Sequence, residues 1–298
     1  MKKDFEVNKI VIPIDFSETS RVALSHAANL SEKFNSKMFL MHAVTTSNFE
    51  VFPNLNMKSK YDEIRAVAIE ELNNIGEEFR SRFNVEVDVI IKDGRPSNAI
   101  VNTAKEVEAD MIVMGTHGVS GFEEFFMGSN AYRVVTASSI PTLTIQQTAK
   151  KTAYEHIFLP LDHSVHSIGK IAHAAYFAEA FGATIHLTAL VSDEGKDYTP
   201  QINIKLKQAE EYFKNRGIKF ITEIIAGDDV ASMTIKQSQK INADLIFIMS
   251  GQQVSTGLFM GPYAQRLVNH SKIPIVSITP REIIPSFTKT YMGGNYRF

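Results

Sequence analysis

Cysteine is absent from the 298 residues, which excludes disulfides, thiolate metal sites and cysteine nucleophiles together. No apolar run approaches the roughly 20 residues of a membrane-spanning helix. The first residues, Met1-Lys2-Lys3-Asp4-Phe5-Glu6, carry charge where a secretory leader would carry an apolar stretch. The expectation is a soluble, cytoplasmic protein with no membrane partner. A strong charge of one sign is also missing, since the net charge is only −2. It divides into −5 over residues 1–149 (15 Lys+Arg, 20 Asp+Glu) and +3 over residues 150–298 (16 and 13), a contrast that favours association of the halves. Neither half carries a basic stripe interleaved with aromatics, so nucleic acid is not an expected partner.

What is present is ordinary globular composition, 44% hydrophobic and 21% charged, in a length that suits two domains of about 150 residues. Residues 9–15 (Lys-Ile-Val-Ile-Pro-Ile-Asp) read as a buried strand ending in an acid, followed by a helix to Phe34 that Ser17 or Thr19 caps. A strand over 38–44, a polar loop over 45–59, a charged helix over about 60–82 with a solvated face and an alternating strand over 85–92 come next. Gly94-Arg95-Pro96 turns the chain into a helix over 97–106, with Pro96 at its start. An apolar strand over 111–114, a glycine loop, a helix over 131–137 and a strand over 140–145 complete a βαβαβαβαβ order, which predicts a doubly wound parallel sheet between helices.

The order then recurs. Ile157-Phe158-Leu159-Pro160-Leu161-Asp162 repeats Ile10-Val11-Ile12-Pro13-Ile14-Asp15. Ala243-Asp244 repeats Ala109-Asp110, Phe259-Met260-Gly261 repeats Phe126-Met127-Gly128, and residues 273–278 repeat the fifth strand. Such self-similarity marks a duplicated domain. The expected division is 1–148, 149–280 and a tail over 281–298, with a polar linker near 146–154.

The most specific stretch is 110–131. Its strand stops at Gly115, and Gly118 and Gly121 allow close backbone approach. Gly128-Ser129 then opens a helix whose unpaired N–H groups and dipole favour an anion, most naturally a phosphate. The spacing, Gly115, two residues, Gly118, nine residues, Gly128-Ser129, resembles the ATP-binding signature of the universal stress protein family. Both halves resemble that family's domain.

The resemblance implies five-stranded parallel sheets in the order 3-2-1-4-5, with a ligand above the carboxyl ends of the strands. It implies that Asp15 contacts the adenine or ribose and that Val44 packs on the adenine. Gly115 and Gly118 would approach the ribose and phosphates, and the amides of Gly128, Ser129 and Asn130, with the Ser129 hydroxyl, would bind phosphate. The implied ligand is ATP, or ADP or AMP, with or without Mg²⁺. In the second repeat, counting back from Gly261 puts Ile248 where the motif has its first glycine, and Pro262 replaces Ser129, removing an N–H and a hydroxyl. One competent site is expected, in the first half. The family's domains pair through their fifth strands, so the two halves of one chain, or two copies of it, are expected to associate that way.

Blander readings stand beside these. The glycines could serve a structural turn, and Asp15 could cap the helix that follows. Arg133 is either a phosphate partner or solvated, and His117 is a plain loop histidine in the absence of an orienting carboxylate. His163 and His166 have a spacing that can share a metal but no further ligand, and no metal site is expected. The sequence has neither a Gly-Lys-Ser/Thr phosphate loop nor a Ser-Gly-Gly pyrophosphatase loop, so no catalytic residue is assigned. The function read from the chain is an ATP-binding stress-response binder or regulator with little or no ATPase activity. The alternatives are a slow ATPase and an interaction module with a vestigial site. The sequence identifies no protein partner.

Overall fold

The computed structural model describes residues 5–45, 57–116, 128–162, 164–191, 200–254 and 257–280. His117, Gly118, Gly121, His163, the 46–56 loop and the tail 281–298 lie outside the described residues. The chain forms two compact units. One is Val7–Thr152, and the other comprises the described residues 5–6 and 153–280.

In the first unit the elements are β1 (Lys9–Pro13), α1 (Glu18–Phe34), β2 (Lys37–Val44), α2 (Met57–Phe83), β3 (Val87–Asp93), α3 (Pro96–Glu106), β4 (Met111–Gly115), α4 (Ser129–Ala137) and β5 (Thr142–Ile145). The strands are parallel and ordered β3-β2-β1-β4-β5. Central strands β1 and β4 are covered on both faces, so they are continuous apolar runs without alternation; Ile10, Val11, Ile12, Met111, Ile112 and Val113 have no exposed surface. The helix α1 is capped at its start by Ser17, whose side chain accepts the Ser20 N–H, and at its end by Asn35, which adopts the left-handed conformation at φ 57°. Helices α1 and α2 pack together, as do α3 and α4.

The second unit repeats this with β6 (His156–Leu161), α5 (Ile171–Phe181), β7 (Thr184–Val191), α6 (Pro200–Asn215), β8 (Phe220–Ala226), α7 (Val230–Lys240), β9 (Leu245–Met249), a hairpin of β10 (Gly251–Val254) and β11 (Gly257–Met260), α8 (Pro262–His270) and β12 (Ile275–Ile278). Its parallel sheet runs β8-β7-β6-β9-β12. A 3-10 helix, Val165–Lys170, leads into α5 where the first unit has the opening turns of α1. Among the described residues no helix is long and apolar enough to cross a membrane.

Several boundaries differ from the sequence reading: β3 and β5 start two residues later, at Val87 and Thr142. Helix α4 starts at Ser129, because the Tyr132 N–H reaches the Gly128 carbonyl at 3.1 Å and so encloses Ser129 and Asn130 in its first turn. Helix α2 begins at Met57, before the charged stretch that announced it.

Candidate functional site

At the C-terminal ends of β1, β2 and β4 the first unit encloses a cavity of about 470 Å³, within the usual size of small-molecule sites. The strand order makes this position inevitable. From β1 the chain moves outward to β2 and β3, then returns past β1 to β4, leaving a crevice at the switch point above the strand ends. Apolar walls come from Met41, Val44, Ile64, Ile100 and Met114, and polar ones from Asp15, Ser20, His42, Thr116, Ser129 and Asn130.

Asp15 does two things. Its Oδ1 accepts the Ser17 N–H at 3.1 Å and the Ser17 hydroxyl at 2.6 Å, and Ser17 in turn caps α1. The capping reading is therefore present in the structure, while Oδ2 accepts no hydrogen bond from the described residues and Asp15 lines the cavity. The chain turns sharply here, with Phe16 at φ 65°. His42 stands two residues before Val44 on β2 and shares its face. Its Nδ1 lies 2.7 Å from the Ile14 carbonyl, which can only accept, so Nδ1 carries the proton and Nε2 is left as an acceptor.

Helix α4 presents its N-terminus to the cavity through Gly128, Ser129, Asn130 and Ala131. Among the described residues no side chain caps it. The amides of Ser129, Asn130 and Ala131 precede the first helical hydrogen bond and have no intrahelical acceptor. The Gly128 amide differs from the sequence reading, because it already donates to the Thr116 carbonyl at 2.7 Å. Gly115 lines the cavity too, but the demand for glycine comes from behind: a Cβ there would lie 2.7 Å from Thr19 Cγ2 on α1.

The structure thus brings together Asp15, Val44, Gly115, Gly128, Ser129 and Asn130, whereas Gly118 lies outside the described residues. Arg133 is exposed and does not line the cavity. Sequence reasoning missed His42, Met41 and Ile64. Strand alternation back from Val44 would have found His42, whereas Ile64 sits on a charged helix with no local sign of its place.

A model of the universal stress protein family matches residues 6–146 and again residues 153–278. The chain belongs to the universal stress protein family. Universal stress protein MJ0531 of Methanocaldococcus jannaschii is 31% identical over 143 residues, 48% of this chain and 84% of that protein. Universal stress protein YxiE of Bacillus subtilis is 29% identical over 147 residues, 47% of this chain and 99% of that protein. Each therefore corresponds to about half of this chain. A solved universal stress protein from Archaeoglobus fulgidus has the same fold along 94% of this chain and 99% of its own, with a TM-score of 0.74 at 18% identity.

The second universal stress protein domain keeps the scaffold and changes the site. Ser250 donates its N–H to the Ile278 carbonyl at 2.9 Å, as Thr116 does to Ile145, so the residue matching Gly115 is Met249. Ile248, assigned by counting back from Gly261, lies fully buried inside β9. The count fails because 10 residues separate Ser250 from Gly261, against 11 between Thr116 and Gly128. Pro262 takes the place of Ser129 at the first position of α8. Tyr263 takes that of Asn130, its phenol pushed up in pKa by burial and placed 3.2 Å from the Thr234 hydroxyl. Among the described residues no three His, Asp or Glu side chains are grouped to hold a metal.

Proposed function

We propose that the first domain binds an adenine nucleotide, ATP or its ADP or AMP forms, and that the chain serves the stress response in the cytoplasm as a nucleotide-responsive binder. The observation that carries this reading is the cavity at the switch point, which gathers six of the seven residues that the family resemblance implies. The base lies against Val44, Met41 and Ile64, and Asp15 takes a ribose or base hydrogen through Oδ2. The phosphates lie at the free amides and hydroxyl of the first turn of α4, where the helix dipole favours negative charge. Ile64, 48% exposed, is apolar surface that a bound base would cover.

Residues 115–129 contain no lysine or arginine, and groups that hold the ground state as tightly as the transition state give no acceleration. Turnover slower than about 0.1 s⁻¹ is expected, below the typical enzyme range. The test is calorimetric titration of ATP, with mass spectrometry of nucleotide released from the denatured protein. Ser129→Pro should weaken ATP by roughly 1–3 kcal/mol, the loss of one or two charge-assisted contacts, and Gly128→Val should weaken it by placing bulk at the same rim of the cavity. Gly261→Val should leave it unchanged. No ATP binding, or equal losses from both domains, would refute the reading.

A further inference from the structure

The second domain holds a carboxylate of its own at a place where the first domain has an arginine. Asp229 stands before α7, and its Oδ1 accepts the Ala231 N–H at 3.1 Å and the Ser232 N–H at 3.4 Å. Its Oδ2 accepts the Ser232 hydroxyl at 2.7 Å and pairs with Nη1 of Arg266 on α8, whose Nη2 donates to the Ser232 hydroxyl at 3.0 Å. The Ser232 hydroxyl and the Arg266 guanidinium hold this carboxyl below the usual carboxylate range. Two helix amides, a hydroxyl and an arginine thus form a cradle for an oxyanion, one that here the chain itself supplies.

The first domain keeps the donors of this cradle and lacks its carboxylate. Helices α3 and α7 have 11 residues each, α4 and α8 have 9, and each pair packs together. Arg95 therefore matches Asp229, Ser97 and Asn98 match Ala231 and Ser232, and Arg133 matches Arg266 as the fifth residue of its helix. The first bond of α3 runs from the Ala99 N–H to the Arg95 carbonyl at 3.0 Å, so the Ser97 and Asn98 amides have no acceptor within the helix, and among the described residues no side chain caps them. A long helical side chain leans toward the N-terminus of its helix, as Arg266 does in reaching Asp229. The same lean takes Arg133 toward the rim of the cavity, which Pro96 of α3 and Ser129 of α4 both line.

We propose that the start of α3, with Arg95 and Arg133, is a second phosphate subsite of the first domain, which takes the terminal phosphate of a nucleoside di- or triphosphate and so selects ADP and ATP over AMP. It rests on the reading that the cavity holds an adenine nucleotide. The phosphate supplies the anion that Asp229 supplies in the other copy, and it offsets the repulsion of two neighbouring guanidiniums. Neither arginine lines the cavity. Adenosine and AMP, held on the cavity walls and at the start of α4, stop short of them, and only a longer phosphate chain crosses the rim. The second domain has no such use for the cradle, because Asp229 fills it.

The experiment is calorimetric titration of the full chain with adenosine, AMP, ADP and ATP at fixed ionic strength without Mg²⁺, on the parent, on Arg133→Gln and on the double variant Arg95→Gln with Arg133→Gln. The parent is expected to bind ATP at least about tenfold more tightly than AMP, the scale of one charge-assisted contact. Arg133→Gln should lower that ratio and the double variant should remove most of it, through weaker ATP and ADP rather than weaker AMP or adenosine. Arg266→Gln, the same change in the second domain, should leave the ratio as it is. A parent that binds ATP and AMP equally overturns the proposal while adenine-nucleotide binding stands. So does a double variant with the parent's ATP-to-AMP ratio, whether because a carboxylate of the chain already holds the arginines or because all four ligands weaken alike. Absence of binding by all four refutes the nucleotide reading and the subsite with it.

Discussion

In the first domain the strand beside the cavity ends in Gly115 and Thr19 packs against it from the facing helix; in the second the strand ends in Met249, and the glycine stands on the facing segment, where a Cβ on Gly169 would lie 3.6 Å from Met249 Cε. Bulk at this contact stands on the helix side in the first domain and on the strand side in the second. Around this exchange the scaffold is constant. Asp110 Oδ2 accepts the N–H groups of Asn8 and Lys9, and Asp244 Oδ2 those of Glu155 and His156, at 2.8–3.0 Å in every case. Ser138 and Ser271 each bridge the N–H and carbonyl two residues on, ahead of the fifth strand. Polar groups that satisfy backbone N–H and carbonyl groups leave an unpaired partner when lost, so both copies keep them. The strand ends are free of that constraint, and the domains diverge there.

The largest test of the contrast is Lys170→Met, since Lys170 follows Asp162 by eight residues, as the buried Ala23 follows Asp15, and is itself only 3% exposed. A folded pKa of about 8 against the usual 10.5 means that the unfolded chain binds more protons between those values, so stability rises with pH across that window. The cost of the buried ammonium is fully present below pH 8 and is lost as pH passes 10.5. At pH 7 it is about 3 kcal/mol. Lys170→Met should therefore stabilise the second domain by about 2–3 kcal/mol at pH 7, with the gain gone near pH 10.5. Denaturant unfolding at the two pH values measures this, and a destabilised variant would show that Lys170 already has its counter-charge within the protein.

The second test acts on the first domain. Gly115→Ala puts a methyl 2.7 Å from Thr19 Cγ2 and 3.3 Å from Thr19 backbone carbon, and should destabilise by about 1–3 kcal/mol through overpacking. Adding Thr19→Ala removes the nearer atom, and the double variant should recover part of the loss. Full additivity of the two changes in thermal unfolding would mean that the glycine answers to something other than this contact.

These contacts also show where the sequence was legible. The sheets, their order of elements and the duplication follow from local pattern: central strands read as apolar runs, Pro96 at a helix start, Gly128 before one. Gly115, Gly128 and Ser129 were legible because the glycine spacing is itself local, and Asp15, Val44 and Asn130 only through the family resemblance that this spacing carries. What was hidden depends on tertiary neighbours. Gly115 was assigned to ligand approach, yet the atom that forbids a side chain belongs to Thr19, 96 residues away. Ile248 was chosen over Met249 because a one-residue shortening cannot be placed without the strand register. The burial of Lys170 and Lys205 carries no signal, since lysines on amphipathic helices normally face water. The hairpin β10–β11 was missed because its strands are four residues each and stand where the other copy has its glycine loop.

The smallest expected effect lies at the helix pair beside each site. In the second domain Asp229 caps α7, accepting the N–H groups of Ala231 and Ser232, and pairs with Arg266 of α8. The matching residues of the first domain are Arg95, which heads α3 with no side-chain cap, and Arg133, the fifth residue of α4 as Arg266 is of α8. Both are exposed, so two like charges stand where the other copy has a cap and an ion pair. Arg95→Asp should supply both. The carboxylate would face the Ser97 and Asn98 amides as Asp229 faces Ala231 and Ser232, a substitution worth about 1 kcal/mol at a helix N-terminus. An exposed ion pair adds a few tenths of a kcal/mol at most and is screened by salt. Thermal unfolding of Arg95→Asp in low and high salt separates the two: a gain that survives about 1 M salt is the cap, and one that disappears is the pair with Arg133. Because Pro96 lines the cavity next to this position, the same variant should bind ATP more weakly and adenosine unchanged if the nucleotide phosphates sense the charge of that rim. An ATP affinity equal to the parent's would place the phosphates wholly on the amides of α4.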